Sequence, residues 1–395
     1  MMEWYYQRDN YELIHGDTMK VLSELDRTVD MIFADPPYFL SKGFTMRSKG
    51  RVKCFDKGDW DKERTMSEVN DFNMKWLSLA RNNLKDNGTI WVSGTYHNIY
   101  SVANCMVELG YKILNIIVWN KPDAPLTLSD AHFNFSAEYI IWARKQKEKR
   151  HFYNIDLMTQ LNCGKRMSDV WNIPTTGLWE KTCGKHPTQK PLRLLYRSIL
   201  AATKEGEIIL DPFAGSCTSG IAANLLNRRF IGIDQSYEFL ELGKKRREEI
   251  EDVSIAQKYI RKMSENPEDV MVMINHARKD LKELMIQKGI CYLRAGDSKG
   301  SLCITPGFER MQYILLHTAG EDLKMYRLKS KGCFQIWTKE TLETYGFHPE
   351  HSPYYVVLLF DNSKEISISK KLNLRERINT YRAKIRPLCD FIGLK

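Results

Sequence analysis

Val29-Asp30-Met31-Ile32-Phe33-Ala34-Asp35-Pro36-Pro37-Tyr38 is the stretch whose reading organises this chain. Its apolar run fits a strand buried on both faces, and the acid with two prolines ends it, because proline offers no N–H to a ladder. Such a strand delivers a carboxylate and a flat aromatic face to the rim of a sheet. An amino group on an aromatic ring attacks poorly, since its lone pair is drawn into the ring, unless acceptors hold its N–H bonds. Asp35 supplies one acceptor, the Pro36 carbonyl a second, and Tyr38 a face on which the ring stacks. Alone, the four residues fit a plain strand-to-turn exit equally well, so the surrounding chain decides.

Upstream, Tyr11–His15 reads as a strand stopped by Gly16-Asp17, and Thr18–Leu25 follows helical spacing. Open α/β sheets meet their ligands at carboxyl-terminal strand edges, where Asp17 falls; capping the next helix is its other reading. Downstream, the polar segment Ser41–Arg64 is richer in basic than acidic residues, which suits phosphates or a merely solvated loop. A helix over Met66–Leu84, a strand over Thr89–Ser93, a helix over Tyr100–Leu109 and strands over Lys112–Trp119 and Ala137–Ala143 follow, with Pro122–Phe135 irregular. Apolar strands alternating with helices predict a largely parallel sheet covered on both faces.

Arg144–Lys185 mixes basic charge with the aromatics Phe152, Tyr153, Trp171 and Trp179. That mixture fits a nucleic-acid reading surface, or an insertion with incidental charge. His186-Pro187-Thr188-Gln189-Lys190-Pro191 then precedes a helix, Leu192–Thr203. Glu207–Ser216 is a strand entering a small-residue turn, Cys217–Leu226 a helix, and Phe230–Asp234 a strand ending in an acid. Free N–H donors at such a turn bind polar ligand groups, and an acid closing the next strand suits the two hydroxyls of a ribose. The turn lacks G-x-G-x-x-G, and Gly215 alone fits simple strand-to-helix packing; Asp234 at this distance makes the pair a nucleoside-cofactor signal.

The 395 residues can hold a large α/β domain and a smaller one, and a net charge of +10 favours an anionic partner. Nine cysteines, an odd number without a C-x-x-C pair, read as reduced thiols of a cytosol rather than a disulfide frame or zinc site, and no metal is expected. No stretch approaches the ~20 apolar residues of a membrane span, and the first residues lack a signal core. A soluble, cytoplasmic protein is expected.

Together these residues resemble the S-adenosylmethionine-dependent DNA amino-methyltransferases of the β arrangement, most nearly the adenine-N6 enzymes of the cell-cycle-regulated and GANTC-modifying type. The resemblance runs from Glu12 to about Gly243 through G-D at 16–17, D-P-P-Y at 35–38, A-E-Y-I-I-W-A at 137–143, D-V-W at 169–171, H-P-T-Q-K-P at 186–191, D-P-F-A-G-S-C-T at 211–218 and I-G-I-D at 231–234. It implies a Rossmann-like methyltransferase sheet with a circularly permuted motif order, the catalytic motif first, target recognition second and the methionine-end motif last. It implies that Asp35, Pro36, Pro37 and Tyr38 grip a flipped base, that Asp17 contacts the cofactor adenine and that Asp234 holds its ribose. Asp211 heads the motif whose Phe213, Gly215, Ser216 and Thr218 line the methionine end, with Thr188 and Lys190 reaching the carboxylate. Cys217 stands where the family usually has a second glycine, which is strained if that position needs φ > 0. Asp before Pro-Pro-Tyr favours adenine over cytosine-N4; RNA, a protein amide or a silent DNA-binding homologue are the other readings. Double-stranded DNA is the implied partner, and a homodimer is open.

Beyond Gly243 no family resemblance attaches. Helices over Lys244–Lys262 and Asp269–Gln287, strands over Gly289–Arg294, Ser301–Thr305, Met311–His317, Cys333–Thr338 and Tyr354–Asp361, and a basic helix over Leu374–Ile385 predict a small α+β domain. The expected division is a methyltransferase domain at 1–264, with target recognition at 144–185, and an accessory domain at 265–395 that grips DNA, self-associates or caps the structure.

Overall fold

The computed structural model describes residues 3–39, 44–48, 51–55, 64–126, 131–162, 164–177, 180–181, 183–184, 186–251, 271–295, 301–302, 311–318, 323–329, 335–350, 352–366 and 384–387. The chain divides into two units, Met1–Asn154 with Ser168–Lys244, and Ile155–Met167 with Lys245–Lys395. The boundary falls earlier than the expected 264, inside a continuous helix, and the second unit takes 155–167 out of the segment expected to read the target.

The first unit contains β1 (Glu3–Arg8), β2 (Tyr11–His15), α1 (Thr18–Glu24), β3 (Val29–Ala34), β4 (Phe44–Ser48), β5 (Arg51–Phe55), α2 (Met66–Asn83), β6 (Leu84–Gly94), α3 (Ile99–Glu108), β7 (Lys112–Asn120) and β8 (Ala137–Arg144). After α4 (Ile155–Leu161), which belongs to the second unit, come β9 (Val170–Asn172), α5 (Leu192–Ala202), β10 (Ile208–Asp211), α6 (Thr218–Leu225), β11 (Arg229–Asp234) and α7 (Tyr237–Glu251). Nine strands form one sheet in the order β1-β2-β11-β10-β3-β6-β8-β7-β9.

Five central strands, β2, β11, β10, β3 and β6, are parallel. The expectation of further parallel strands fails at β7 and β8, which pair antiparallel with each other, as does β8 with β6. Among the described residues no helix intervenes between β7 and β8 to carry the chain back across the sheet, so the two run in opposite senses. Within Ser41–Arg64, expected as a loop, β4 and β5 form an antiparallel hairpin.

Side chains alternate across the sheet. Ile32, Leu210, Ile231, Ile90 and Ile141 share one core with Val21 and Leu22 of α1, Trp76 and Leu77 of α2 and Val102 of α3. The alternate residues Phe33, Ile209, Phe230 and Trp91 are buried too. There α6 comes so close to β11 that a Cβ on Gly220 would lie 2.4 Å from the Phe230 ring. The chain leaves β3 toward β6 and leaves β10 toward β11, so the crevice beyond the ends of β3 and β10 is the point where strand order reverses. Open α/β sheets bind ligands there.

The second unit carries β12 (Met271–His276), α8 (Lys279–Lys288), β13 (Ile290–Ala295), β14 (Ser301–Leu302), β15 (Met311–His317), β16 (Lys324–Leu328), β17 (Gln335–Thr338), α9 (Lys339–Thr344), β18 (Tyr354–Ile366) and β19 (Lys384–Pro387). They form an eight-stranded mixed sheet with short helices, an α+β arrangement. The expected helix over Asp269–Gln287 is a strand followed by a helix, because Met271–His276 pairs in parallel with β15 and antiparallel with β19. Lys384–Pro387 is a strand, not the end of a helix; 374–383, and 252–262 of the other expected helix, lie outside the described residues. Among the described residues, no helix is long and apolar enough to cross a membrane, and Cys105, Cys183, Cys217 and Cys291 are free thiols.

Candidate active site

Beyond β3 the chain turns at Pro36 and Pro37, and Phe39 takes a left-handed backbone (φ 56°). Its ring packs edge-on to Phe72 of α2 at 5.3 Å, with the Arg64 guanidinium 4.7 Å above it. Non-glycine residues hold such a conformation only where the surroundings fix it. The turn presents Asp35 to a dense polar cluster. Tyr38 Oη donates to Asp35 Oδ1 at 2.6 Å, Ser93 Oγ at the end of β6 donates to the same oxygen, and Lys190 Nζ lies 2.5 Å from Asp35 Oδ2. Lys190 also donates to Tyr38 Oη at 3.2 Å and lies 3.7 Å from Glu138 of β8, which pairs with Lys121 at 2.9 Å.

Burial alone would raise the Asp35 carboxyl; the Lys190 ammonium and the hydrogen bonds of Lys190, Ser93 and Tyr38 outweigh it and hold the group below the usual carboxylate range. Burial works against the Lys190 charge as well, and Asp35 and Glu138 reverse that and hold it above its ordinary value. Tyr38 is held neutral, well above the usual phenol range, by burial and the two acids beside it.

The second half of the site grows from β10 and β11. Asp211 ends β10, receives Phe213 N at 3.0 Å and the Ser219 hydroxyl, and is pushed up by burial to about 7. The turn that follows contains Gly215 at φ 49°, where a Cβ would lie 2.9 Å from His186 Nε2, so both backbone and space demand glycine. Cys217, at the N-terminus of α6, also has a left-handed backbone (φ 56°), so the non-glycine at this family position does stand where φ is positive. Asp234 ends β11 and accepts Gly215 N and Ser236 N, each at 2.8 Å. Burial raises its carboxyl above the usual range.

The halves meet in one cavity of about 240 Å³, lined by Asp17, Asp35, Pro36, Pro37, Tyr38, Arg64, Phe72, His186, Thr188, Phe213, Gly215, Asp234, Ser236 and Phe239 among others. A smaller cavity of about 30 Å³ adjoins it, with Lys190, Asp211, Ser216 and Thr218 in its wall and Asp35, His186, Thr188, Phe213 and Gly215 common to both. All thirteen candidate residues thus face one of two neighbouring cavities. Phe213 packs on Trp76 at 5.3 Å and Phe72 at 6.2 Å, which ties the turn after β10 to α2 beside the Pro-Pro turn.

Two placements differ from expectation. Lys190, expected at the cofactor carboxylate, points at Asp35 and Glu138, because a buried ammonium is stable only against buried carboxylates. The Tyr38 ring, expected to stack on a base, has Lys190 Nζ 5.4 Å from its centre and its hydroxyl on Asp35. Asp17 is at once cavity wall and N-cap, accepting Lys20 N at 3.1 Å, so both of its readings hold geometrically. Sequence reasoning assigned no role to Ser93, Glu138, His186 or Phe239. The signal for Ser93 was its place at the end of the strand beside β3; for Glu138 it was the quoted run at 137–143.

The chain is 53% identical over 250 residues to the type II methyltransferase M2.DpnII of Streptococcus pneumoniae, covering 63% of this chain and 93% of that protein. It is 49% identical over 252 residues to the type II methyltransferase M2.MboI of Moraxella bovis, covering 63% and 92%. Among solved structures it is similar to the M1.HpyAVI–SAM complex (26% identity, TM-score 0.47, 60% of this chain and 98% of that one). It is also similar to the cytosine-N4-specific PvuII DNA methyltransferase (18%, TM-score 0.49, 62% and 88%). The DNA methylase family N6_N4_Mtase matches residues 29–245, the span that carries both Asp35 and Asp234, and the chain belongs to that family.

Proposed function

We propose that the protein is a site-specific DNA methyltransferase that moves the methyl group of S-adenosylmethionine to the N6 amino group of adenine, as part of a type II restriction-modification system. The observation that carries this is the shared cavity: Asp35, the acceptor for an amine, and Asp234 with the Gly215 turn, the seat for a nucleoside, line the same space. The cofactor fits the residues present. Each Asp234 oxygen takes one backbone N–H and keeps a lone pair for a ribose hydroxyl. Where Gly215 leaves room, a side chain would collide with His186.

When bound, S-adenosylmethionine supplies an already activated methyl group. The chain's work is alignment and polarisation. Asp35, held ionised by Lys190, accepts an N–H of the amine and turns its lone pair out of the ring plane, and the Pro36 carbonyl accepts the second. Phe72, Phe213 and Phe239 line the cavity with apolar surface that keeps water from the reacting atoms. The base must leave the duplex stack to reach this depth. After transfer the methylated amine gives up its extra proton to water as the product base leaves the cavity.

The motif set supports a place beside the GANTC-modifying enzymes, and the second unit is read as gripping DNA, pairing two copies or capping the structure. The test is incubation of the full chain with tritiated S-adenosylmethionine and double-stranded DNA, followed by mass spectrometry of the digested product. N6-methyladenine is expected. N4-methylcytosine, or label in neither base, overturns the assignment. Modification-sensitive sequencing of host DNA reads the target site in the same experiment.

A further inference from the structure

Beside the catalytic turn stands a set of aromatic rings that the proposed reaction does not use. Tyr96 and Phe135 are stacked, with ring centres 5.4 Å apart and planes at 19°. His97 lies 3.8 Å from Tyr96 and His132 lies 4.8 Å from Phe135, so four rings form one ridge. Tyr96 is 44% exposed and Phe135 is 40% exposed, a large uncompensated apolar surface for residues that a core could have taken.

The placement of this ridge follows from the sheet. Tyr96 comes three residues after Ser93, whose hydroxyl bonds Asp35, and Phe135 comes three residues before Glu138, whose carboxylate lies 3.5 Å from Tyr38 Oη. β6 and β8 pair antiparallel with Gly94 opposite Tyr139, so the outgoing chain of one and the incoming chain of the other cross the same sheet edge together. Three residues span at most about 10 Å. Successive nucleotides of a stacked strand rise about 3.4 Å. A strand whose target base is held at Asp35 therefore runs within about three nucleotides of Tyr96 and Phe135.

We infer that Tyr96 and Phe135 form a stacking site for a nucleobase that flanks the target base in the bound DNA. This rests on the reading of the cavity as a DNA methyltransferase site. The net charge of +10 favours nucleic acid over an acid-poor peptide as the occupant, and partly exposed aromatic rings suit a nucleobase. Flipping one base removes stacking from its neighbours, and an aromatic ridge at the rim restores it.

The test compares wild type with the double variant Tyr96→Ala/Phe135→Ala, and with Tyr96→Phe/Phe135→Tyr, which keeps both rings. The double alanine variant is expected to bind target DNA roughly tenfold or more weakly, with S-adenosylmethionine affinity and melting temperature unchanged. The ring-preserving variant binds like wild type. 2-Aminopurine one to three nucleotides from the target changes fluorescence on binding wild type and the ring-preserving variant, but not on binding the double alanine variant. Equal DNA affinity of wild type and the alanine variant overturns the inference while leaving the methyltransferase reading intact. So does sedimentation showing that the rings instead hold two copies together. A wild-type protein that methylates no DNA overturns both.

Discussion

Lys190 Nζ and Asp35 Oδ2, 155 residues apart in the chain, meet at 2.5 Å with both side chains largely buried. The residue after Thr188-Gln189 thereby fixes the charge and direction of the acid that ends β3. The cluster also explains how an acid at the bottom of a closed turn stays ionised: three donors, from Lys190, Tyr38 and Ser93, converge on its two oxygens. Neither half of the site is complete until the sheet brings β3 and β10 side by side.

Asp35→Ala is expected to abolish methyl transfer and to leave cofactor binding in place. Removing a preorganised acceptor costs on the order of 10² to 10³ in kcat. Because alanine leaves Lys190 with Glu138 as its remaining acid, Asp35→Asn is the companion variant that keeps the volume. Tritiated-methyl turnover and calorimetry of S-adenosylmethionine binding check the split. Turnover near wild type in the alanine variant removes Asp35 from the chemistry, and the asparagine variant, which keeps one acceptor, should lose less.

Lys190→Met is expected to move the acid limb of the kcat/KM profile toward neutral pH. In the wild type the Asp35 carboxyl lies below its ordinary value, so Asp35 stays ionised until the pH falls below the usual carboxylate range. Without the ammonium, burial is the largest influence left and pushes the carboxyl up, so protonation and loss of activity begin at higher pH. The variant also leaves a buried charge without its partner, a loss of about 3–5 kcal/mol. Melting is therefore measured at each pH to keep activity and unfolding apart. An acid limb that does not move contradicts the role given to Lys190.

Asp211 gives a stability signature of opposite sign. Its folded-state carboxyl is raised from 3.8 to about 7, so the folded chain holds a proton that the unfolded chain has already released. Stability from this group is full below the unfolded value and is lost as pH rises through the folded one. Asp211→Asn keeps an acceptor for Phe213 N and cannot ionise. Its unfolding free energy should match wild type near pH 4 and exceed it increasingly toward pH 8, by roughly 4 kcal/mol at the limit. Parallel melting curves across that range would contradict the burial of the charge.

The legible parts of this molecule are those written in local runs of sequence. The apolar strand ending at Asp35, the strand and small-residue turn at 207–216 and the acid closing Phe230–Asp234 each declare themselves within ten residues, and the structure joins them in one cavity. The Lys190–Asp35 contact was not legible, because the spacing along the chain says nothing of which buried acid an ammonium reaches. Met271–His276 shows a second kind of failure. It was read as the start of a helix over Asp269–Gln287, and the strand wins through pairing with two distant partners, β15 and β19. The division of the chain at 244 was hidden because α7 runs through it without a break.

Asp234→Ala is expected to weaken S-adenosylmethionine binding tenfold or more, which corresponds to about 1.4 kcal/mol. The carboxylate shapes the turn through Gly215 N and Ser236 N as well as facing the cavity, so the variant loses both the seat and the shape of the loop. Asp234→Asn keeps one acceptor oxygen and should lose less. Calorimetric titration measures both. Unchanged affinity in the alanine variant would place the nucleoside elsewhere.

Cys217 and Gly243 are expected to show reversed signs of substitution effect. Cys217 occupies a left-handed backbone position and is fully buried, and Gly243 lies in α7 against it: a Cβ at 243 would come 2.3 Å from Cys217 Sγ and 2.9 Å from its Cβ. The Cβ contact cannot be relieved by rotating the thiol. In the wild-type background Gly243→Ala should therefore destabilise, by about 1–3 kcal/mol as overpacking does. Cys217→Gly relieves the left-handed strain of about 1–2 kcal/mol but opens a void, so alone it should change stability little. In that background the alanine methyl fills the void and gains the helix preference of alanine over glycine, about 1 kcal/mol, so Gly243→Ala should stabilise. Urea unfolding of the four proteins closes the cycle, and a coupling of 0.5–3 kcal/mol is the range for residues in contact. Strict additivity would show that α7 moves away freely, and that the cysteine at the head of α6 is not what requires glycine at 243.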